Sequence, residues 1–190
     1  MEFYDSEDNV KQYIEMAEGF DGRELIEILK KFVPEDSSIL ELGMGPGVDL
    51  EILSNSYDVT GSDNSIVFLD RFRKSHPDFK LINLDITNIQ CDTQFDCVYS
   101  NKVLHHLTDE ALRESLLQQK SLLQDDGVLF HTFWQGKDVG EIEGMLFNYH
   151  TVDSLKKIIG DTYKIVEIEP YSEMENNDSL YIILSSENNA

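Results

Sequence analysis

Ile39-Leu40-Glu41-Leu42-Gly43-Met44-Gly45-Pro46-Gly47-Val48-Asp49-Leu50 is the stretch whose reading decides the fold. Ile39, Leu40 and Leu42 make a short apolar run of the kind found in a parallel strand covered on both faces. Three alternate glycines then predict a tight turn, and Asp49 and Glu51 fall in the first turn of a following helix, where they favour its dipole. Without side chains at 43, 45 and 47 the backbone can approach a bound molecule closely, and Pro46 fixes one φ angle of the turn.

Working outward, the informative residues are acids. Glu41 stands two positions before the first glycine, where a dinucleotide fold usually places an apolar residue. Asp63 follows the next apolar segment (Tyr57, Val59, Gly61), at the spacing where an acid accepts both hydroxyls of a ribose. Lys80 to Leu84 reads as a third strand that delivers Asp85 to its carboxyl end. Ligands of open α/β sheets bind at the carboxyl ends of strands, so Glu41, Asp63 and Asp85 are expected to face one crevice.

On these residues the chain resembles the class I S-adenosylmethionine-dependent methyltransferases, whose first motif is an acid followed by G-x-G-x-G, with an acid ending strand two. The dinucleotide pattern G-x-G-x-x-G is not met, because position 48 is Val48. An NAD-dependent oxidoreductase is therefore a less favoured alternative. A second segment, Phe95-Asp-Cys-Val-Tyr-Ser-Asn-Lys-Val-Leu-His-His-Leu107, looks like the fourth motif of small-molecule methyltransferases.

The resemblance implies a three-layer αβα Rossmann-like methyltransferase fold, with a seven-stranded mostly parallel sheet and an antiparallel C-terminal hairpin strand. It implies S-adenosyl-L-methionine as cofactor and S-adenosyl-L-homocysteine as product. The cofactor contacts carry over to Glu41, Gly43, Gly45, Gly47, Asp63 and the adjoining Asn64, to Asp85 and Ile86 at the adenine, and to Ser100 at the end of strand four. Tyr13, on an N-terminal helix of the kind that covers the cofactor in this family, is a further candidate contact.

The cofactor's methyl group is intrinsically reactive toward in-line attack, so alignment and exclusion of water are the main tasks. A general base helps when the acceptor is a hydroxyl or an acidic carbon. His105 and His106 are the candidates, because an imidazole titrates near neutrality. Adjacent histidines cannot both face one site, and His105 is preferred as the nearer to the end of strand four. Tyr99-Ser100-Asn101-Lys102 stands where DNA amino-methylases carry an N-P-P-Y-like run. Neither a Pro-Cys nucleophile nor a paired-Glu loop is visible, which leaves a small metabolite as the favoured methyl acceptor. The rival from another class is a methyltransferase-like module that binds a protein without turnover.

Composition narrows the partners. The chain has 190 residues, 37 acids against 15 bases, a formal net charge of −22 and 41% hydrophobic residues. That hydrophobic content suits a packed core, and the length suits one domain over 1–190, with N-terminal helices in 1–34. The charge repels phosphate, so nucleic acid is not expected as a partner. The local basic cluster, Arg71, Arg73 and Lys74, reads as a solvated helix face. Cys91 and Cys97 suggest neither a disulfide framework nor a metal site. No window approaches the about 20 apolar residues of a membrane span, and the acidic N-terminus does not read as a signal peptide. A cytoplasmic monomer or homodimer is expected.

The rest of the chain fills in the fold. Ser6 or Asn9 is expected to cap a helix bearing Val10, Ile14 and Ala17 on one face. Asp21-Gly22-Arg23-Glu24 has the form of a capping box opening a helix that ends at Pro34. Ser65 should cap a helix broken at His76-Pro77, and Thr108 one that runs from Asp109 to Leu123 and closes at Gly127. Val128 to Phe133 then reads as strand five, with Trp134 at its carboxyl end as a candidate pocket residue. Residues 135–150, interrupted by Gly136, Gly140 and Gly144, read as a substrate loop or lid. Thr151 caps a short helix, and strands at Tyr163 to Glu169 and Ser179 to Ser185 close the chain as an antiparallel hairpin.

Overall fold

The computed structural model describes residues 2–186. Its elements in chain order are α1 (Glu7–Met16), α2 (Arg23–Leu29), β1 (Ser38–Leu42), α3 (Val48–Leu53), β2 (Asp58–Asp63), α4 (Ile66–Ser75), β3 (Lys80–Asn83), β4 (Phe95–Ser100), α5 (Asp109–Gln119), β5 (Leu123–Trp134), β6 (Val139–Ile142), β7 (Met145–Asn148), α6 (Val152–Ile159), β8 (Lys164–Tyr171) and β9 (Ser179–Ser185). Seven strands form one sheet in the order β3-β2-β1-β4-β5-β9-β8. The first five are parallel, and β9 lies antiparallel to both β5 and β8. This is the expected Rossmann-like methyltransferase sheet, reversed last strand included.

Alternation along the central strands explains the three layers. Leu40 and Leu42 of β1, with Leu180, Ile182 and Leu184 of β9, face the core under α5 and α6. Ile39 of β1, with Tyr181 and Ile183 of β9, faces the core under α2, α3 and α4. Successive side chains of a strand point to opposite faces, so strands that are apolar at nearly every position need helices on both sides.

The N-terminal helices divide their work. α2 buries Leu25, Ile26 and Leu29 in the sheet core, whereas α1 lies beside the carboxyl ends of the strands and buries Val10. The expected capping box of α2 does not form. Its N-cap is Gly22, and Asp21 accepts from the Arg23 amide at 3.0 Å instead of a later amide. At α1 the N-cap Ser6 makes no side-chain cap bond, and Asn9 lies inside the helix. Ser65, Thr108 and Thr151 cap as expected, each accepting an amide of the first turn.

Two boundaries differ from the periodicity. α5 stops at Gln119 rather than Leu123, and Leu123 instead pairs with Phe95 of β4, so Gly127 lies inside β5 and closes no helix. Parallel pairing, a tertiary contact, overrides the helical spacing of the leucines. Residues 135–150, read from the sequence as a substrate loop or lid, contain regular structure. They hold an antiparallel hairpin in which Val139 pairs with Asn148 and Ile142 with Met145, closed by Glu143 and Gly144 at φ 52° and 80°. Two successive residues at positive φ match the twist of a two-residue hairpin. Among the described residues, no helix is long and apolar enough to cross a membrane.

Candidate active site

The site begins where β1 ends. The Met44 amide donates to the Ser62 carbonyl at 2.8 Å and the Gly45 amide to Asp63 Oδ2 at 2.9 Å, which ties the glycine turn to the end of β2. Gly45 has φ 50° and Gly47 has φ 86°. A Cβ on Gly47 would stand 2.3 Å from the Phe72 ring of α4, so this glycine serves close packing of α3 on α4 as well as the turn.

Two joined cavities lie over the strand ends. The larger, of about 230 Å³, is walled by Tyr13, Gly43, Gly45, Asp63, Asn64, Asp85 and Ile86, together with Phe68, Leu107 and His106. The smaller, of about 130 Å³, is walled by Glu41, Asp49, Met44 and Glu173. Tyr13, Gly43, Gly45, Asn101 and Lys102 belong to both. Eight of the ten candidate cofactor residues thus meet on one continuous surface. Gly47 and Ser100 do not: Gly47 is turned against Phe72, and the Ser100 hydroxyl bonds His131 Nδ1 of β5 at 2.8 Å inside the sheet.

The larger cavity carries an aromatic wall. Tyr4, Tyr13 and Phe68 are mutually packed at centroid separations of 5.3 Å, 5.5 Å and 5.8 Å. Tyr4 belongs to the helical turn Glu2–Asp5, whose backbone accepts the Ser65 hydroxyl at 2.6 Å. Across from it, Asp63 accepts from Gly45 and from the Ser65 amide at 2.8 Å, while burial raises its pKa and these amides oppose the rise. Asp85 Oδ1 accepts from the Thr87 amide and hydroxyl at 2.8 Å and 2.7 Å.

The smaller cavity is acidic. Glu41 is 3% exposed, and its Oε2 has no hydrogen-bond partner among the described residues. Burial, then the neighbouring Asp49 and Asp63, push its pKa well above the ordinary carboxylate value. Asp49 is the residue that sequence reasoning missed. Read there as a helix-dipole acid, it accepts from the Gly22 amide at 2.6 Å, the Tyr99 hydroxyl at 2.8 Å and Asn101 Nδ2 at 3.0 Å, joining α2, β4 and the turn after β4. No local pattern announces donors that lie 27 to 52 residues away.

Lys102 is another unanticipated wall residue. It takes φ 55°, held by its amide on Thr132 Oγ1 at 2.9 Å. Its ammonium donates to Glu173 at 2.6 Å and to Ser179 at 2.7 Å and sits 3.3 Å from the centroid of the Trp134 ring. Trp134, which the sequence left as either a pocket residue or a core residue, supports this lysine and lines neither cavity.

The two histidines separate. His106 lines the larger cavity and its Nδ1 lies 2.7 Å from the Leu146 carbonyl of β7. His105 is 2% exposed, has no partner for either ring nitrogen among the described residues, and packs against His106 and Phe147 at 4.0 Å and 5.2 Å. The order expected from sequence, with His105 facing the site, is thus reversed. In a tight helical turn, successive side chains point in different directions, and it is the second imidazole that reaches the cavity wall. Burial lowers the pKa of both rings, with His106, Lys102 and His150 adding to the effect at His105. The hairpin reaches this site through Leu146 and Phe147. Among the described residues, no group of three or more His, Cys, Asp or Glu is placed to hold a metal ion.

Comparison with known proteins agrees with this geometry. Residues 39–127 match the family model described as a methyltransferase domain. Trans-aconitate 2-methyltransferase of Enterobacter sp. (strain 638) is 32% identical over 112 residues, covering 56% of this chain and 43% of its own. An uncharacterized methyltransferase of Oceanobacillus iheyensis is 27% identical over 121 residues, covering 62% of this chain and 54% of its own. The chain spans about half the length of these relatives. Among solved structures, the glycopeptide N-methyltransferase MtfA complexed with S-adenosylhomocysteine superposes with a TM-score of 0.75 at 15% identity, over 89% of this chain and 91% of that one. The 1,6-didemethyltoxoflavin-N1-methyltransferase of Burkholderia thailandensis gives 0.72 at 16% identity, over 93% and 87%. Residues 39–127 are thus similar to a methyltransferase domain, and the chain has the Rossmann-like fold of these solved methyltransferases.

Proposed function

We propose that this protein transfers a methyl group from S-adenosylmethionine to a small-molecule acceptor, as one catalytic domain acting in the cytoplasm. The observation that carries the reading is the unpartnered, buried Glu41 Oε2 beside the open glycine turn, on the same surface as Asp63 and Asp85. A buried carboxylate oxygen without a donor matches the ammonium of an amino acid, and Asp63 retains lone pairs for ribose hydroxyls. The cofactor, when bound, supplies a sulfonium-activated methyl group. Glu41, Gly43 and Gly45 hold its amino-acid end, Asp63 and Asn64 its ribose, and Asp85 and Ile86 its adenine. Tyr4, Tyr13 and Phe68 exclude water along the same wall, which serves in-line attack by alignment.

A small acceptor is supported by the named relatives, which act on trans-aconitate and 1,6-didemethyltoxoflavin. A net charge of −22 also disfavours nucleic acid, because few phosphates would be neutralised. S-adenosylhomocysteine at roughly 100 times its dissociation constant stabilises by about 2.7 kcal/mol, so the melting temperature should rise by several degrees. NAD should leave it unchanged. A shift with NAD and none with S-adenosylhomocysteine overturns the reading. Cofactor binding with no methyl transfer to any of a broad metabolite panel would favour a binding module instead.

A further inference from the structure

The turn after β4 presents one ring nitrogen to the larger cavity in a defined protonation state. His106 Nδ1 lies 2.7 Å from the Leu146 carbonyl oxygen. A carbonyl only accepts, so Nδ1 carries the hydrogen of this bond. A neutral imidazole has a single N–H, which leaves the lone pair on Nε2, and burial holds this ring neutral at pH 7. Among the described residues Nε2 has no hydrogen-bond partner, yet it is not one of the buried orphaned atoms, unlike both nitrogens of His105. Nε2 is therefore open to solvent, on a ring that lines the larger cavity.

The other titratable groups of that wall are engaged or protonated. Asp63 accepts two backbone amides, and Asp85 Oδ1 accepts from Thr87 twice. Lys102 Nζ donates to Glu173 and Ser179, with burial lowering its pKa and Glu173 opposing the drop, and burial pushes the Tyr4 and Tyr13 hydroxyls up so that they keep their protons.

Resting on the methyltransferase reading above, we infer that His106 is the general base of the reaction, that the Leu146 carbonyl of the hairpin fixes its tautomer, and that the acceptor is a neutral protic nucleophile, a hydroxyl or an N–H, rather than a carboxylate. The acceptor's O or N forms a bond to the methyl carbon while the carbon–sulfur bond breaks and its electron pair stays on sulfur. The acceptor's proton passes to Nε2, giving an imidazolium that still donates Nδ1–H to Leu146 and then returns the proton to water. A carboxylate has no proton to lose and would not need this group.

The test uses the full chain with labelled S-adenosylmethionine, single-turnover conditions, and a panel of phenols, N–H heterocycles and carboxylic acids. His106→Gln and His106→Ala are compared with wild type, with the melting-temperature shift from S-adenosylhomocysteine as the control for folding and cofactor binding. Methylation of a hydroxyl or N–H acceptor is expected, slowed roughly 100-fold or more in both variants with the shift retained. The wild-type rate should rise with pH through an apparent pKa below about 6.5 and then level, and the wave should vanish in the variants. Burial pushes that pKa down and the bond to the Leu146 carbonyl opposes the drop; the titratable and charged groups that share its turn or its cavity wall are His105, Lys102, Asp63 and Asp85, while Leu146 and Phe147 of the hairpin carry no charge. A ring nitrogen–hydrogen correlation spectrum should show His106 protonated at Nδ1 alone. Variant rates within threefold of wild type, methylation confined to carboxylic acids or to nothing on the panel, or a proton on Nε2 at neutral pH would each overturn the inference. Loss of the S-adenosylhomocysteine shift in wild type would instead bring down the methyltransferase reading itself.

Discussion

The two rims of the cleft are built by opposite means. Over β1 to β3 the wall consists of backbone amides and carboxylates that lie close in sequence to the strand ends they serve: Gly43, Gly45, Asp63 and Asp85. Over β4 and β5 it consists of side chains steadied by groups from far along the chain, as when Lys102 is held by Glu173 and His106 by Leu146, 40 residues on. Beneath that second rim runs a buried polar chain, Ser100 to His131 Nδ1 and His131 Nε2 to Gln119 Oε1, both at 2.8 Å. The first rim is a local device that many folds with parallel strands can carry. The second exists only once the hairpin and β5 are in place.

The largest effect that can break this comparison comes from Gly47. Gly47→Val adds left-handed strain to a direct clash with Phe72, and should lower stability by about 3 kcal/mol or more in chemical denaturation, weakening S-adenosylhomocysteine binding as well. Gly144→Ala in the hairpin is the control. It also sits at positive φ but meets nothing within 4 Å, so it should lower stability by only about 1 kcal/mol and spare that binding. Equal losses for the two would mean that the glycine turn is no more constrained than the hairpin tip.

A smaller effect sharpens the assignment of the first rim. Asp63→Ala should weaken S-adenosylhomocysteine by about 1.5–3 kcal/mol in calorimetry, because an ionised acceptor of hydroxyls is lost. It should also lower the melting temperature, since the Gly45 and Ser65 amides lose their acceptor. Ser100→Ala, on a residue that lines neither cavity, should leave the affinity unchanged. Unchanged affinity in Asp63→Ala with lowered stability would make Asp63 a residue of the turn alone.

The smallest effect concerns the second rim and pH. Burial lowers the His131 pKa from 6.5 to about 3, so between those values the unfolded chain binds a proton that the folded protein does not. Stability from this group is complete above pH 6.5 and is lost as pH falls. His105, His106 and His150 act in the same direction, and the raised pKa values of Glu41 and Asp63 act against it. His131→Gln should therefore make the stability curve below pH 6 less steep by about 1 kcal/mol per pH unit. Parallel curves for wild type and variant would show that His131 does not stay neutral in the folded protein.

The elements themselves were largely legible in the sequence. β1, the turn and α3 follow from apolar spacing and glycine placement, and Ser65, Thr108 and Thr151 announced the helices they cap. Leu123 and Gly127 misled, because the pairing of Leu123 with Phe95 outweighs a leucine spacing that is helical in form. In residues 135–150, read as a substrate loop or lid, the hairpin itself was not legible, because Val139 and Ile142 find their strand partners in Asn148 and Met145.

What the sequence alone determined is whatever depends on neighbours a few positions away. That is the strand-turn-helix that opens the cleft, the acids that end β1 and β2 and follow β3, and hence the family of the fold. Tertiary structure alone decided which acid joins α2 to β4, which histidine reaches the cavity, and which of its nitrogens is bare. The physical reason is that a hydrogen bond fixes a side chain's role only through its partner. For Asp49 and His106 those partners, Gly22, Tyr99, Asn101 and Leu146, are brought within reach only by folding.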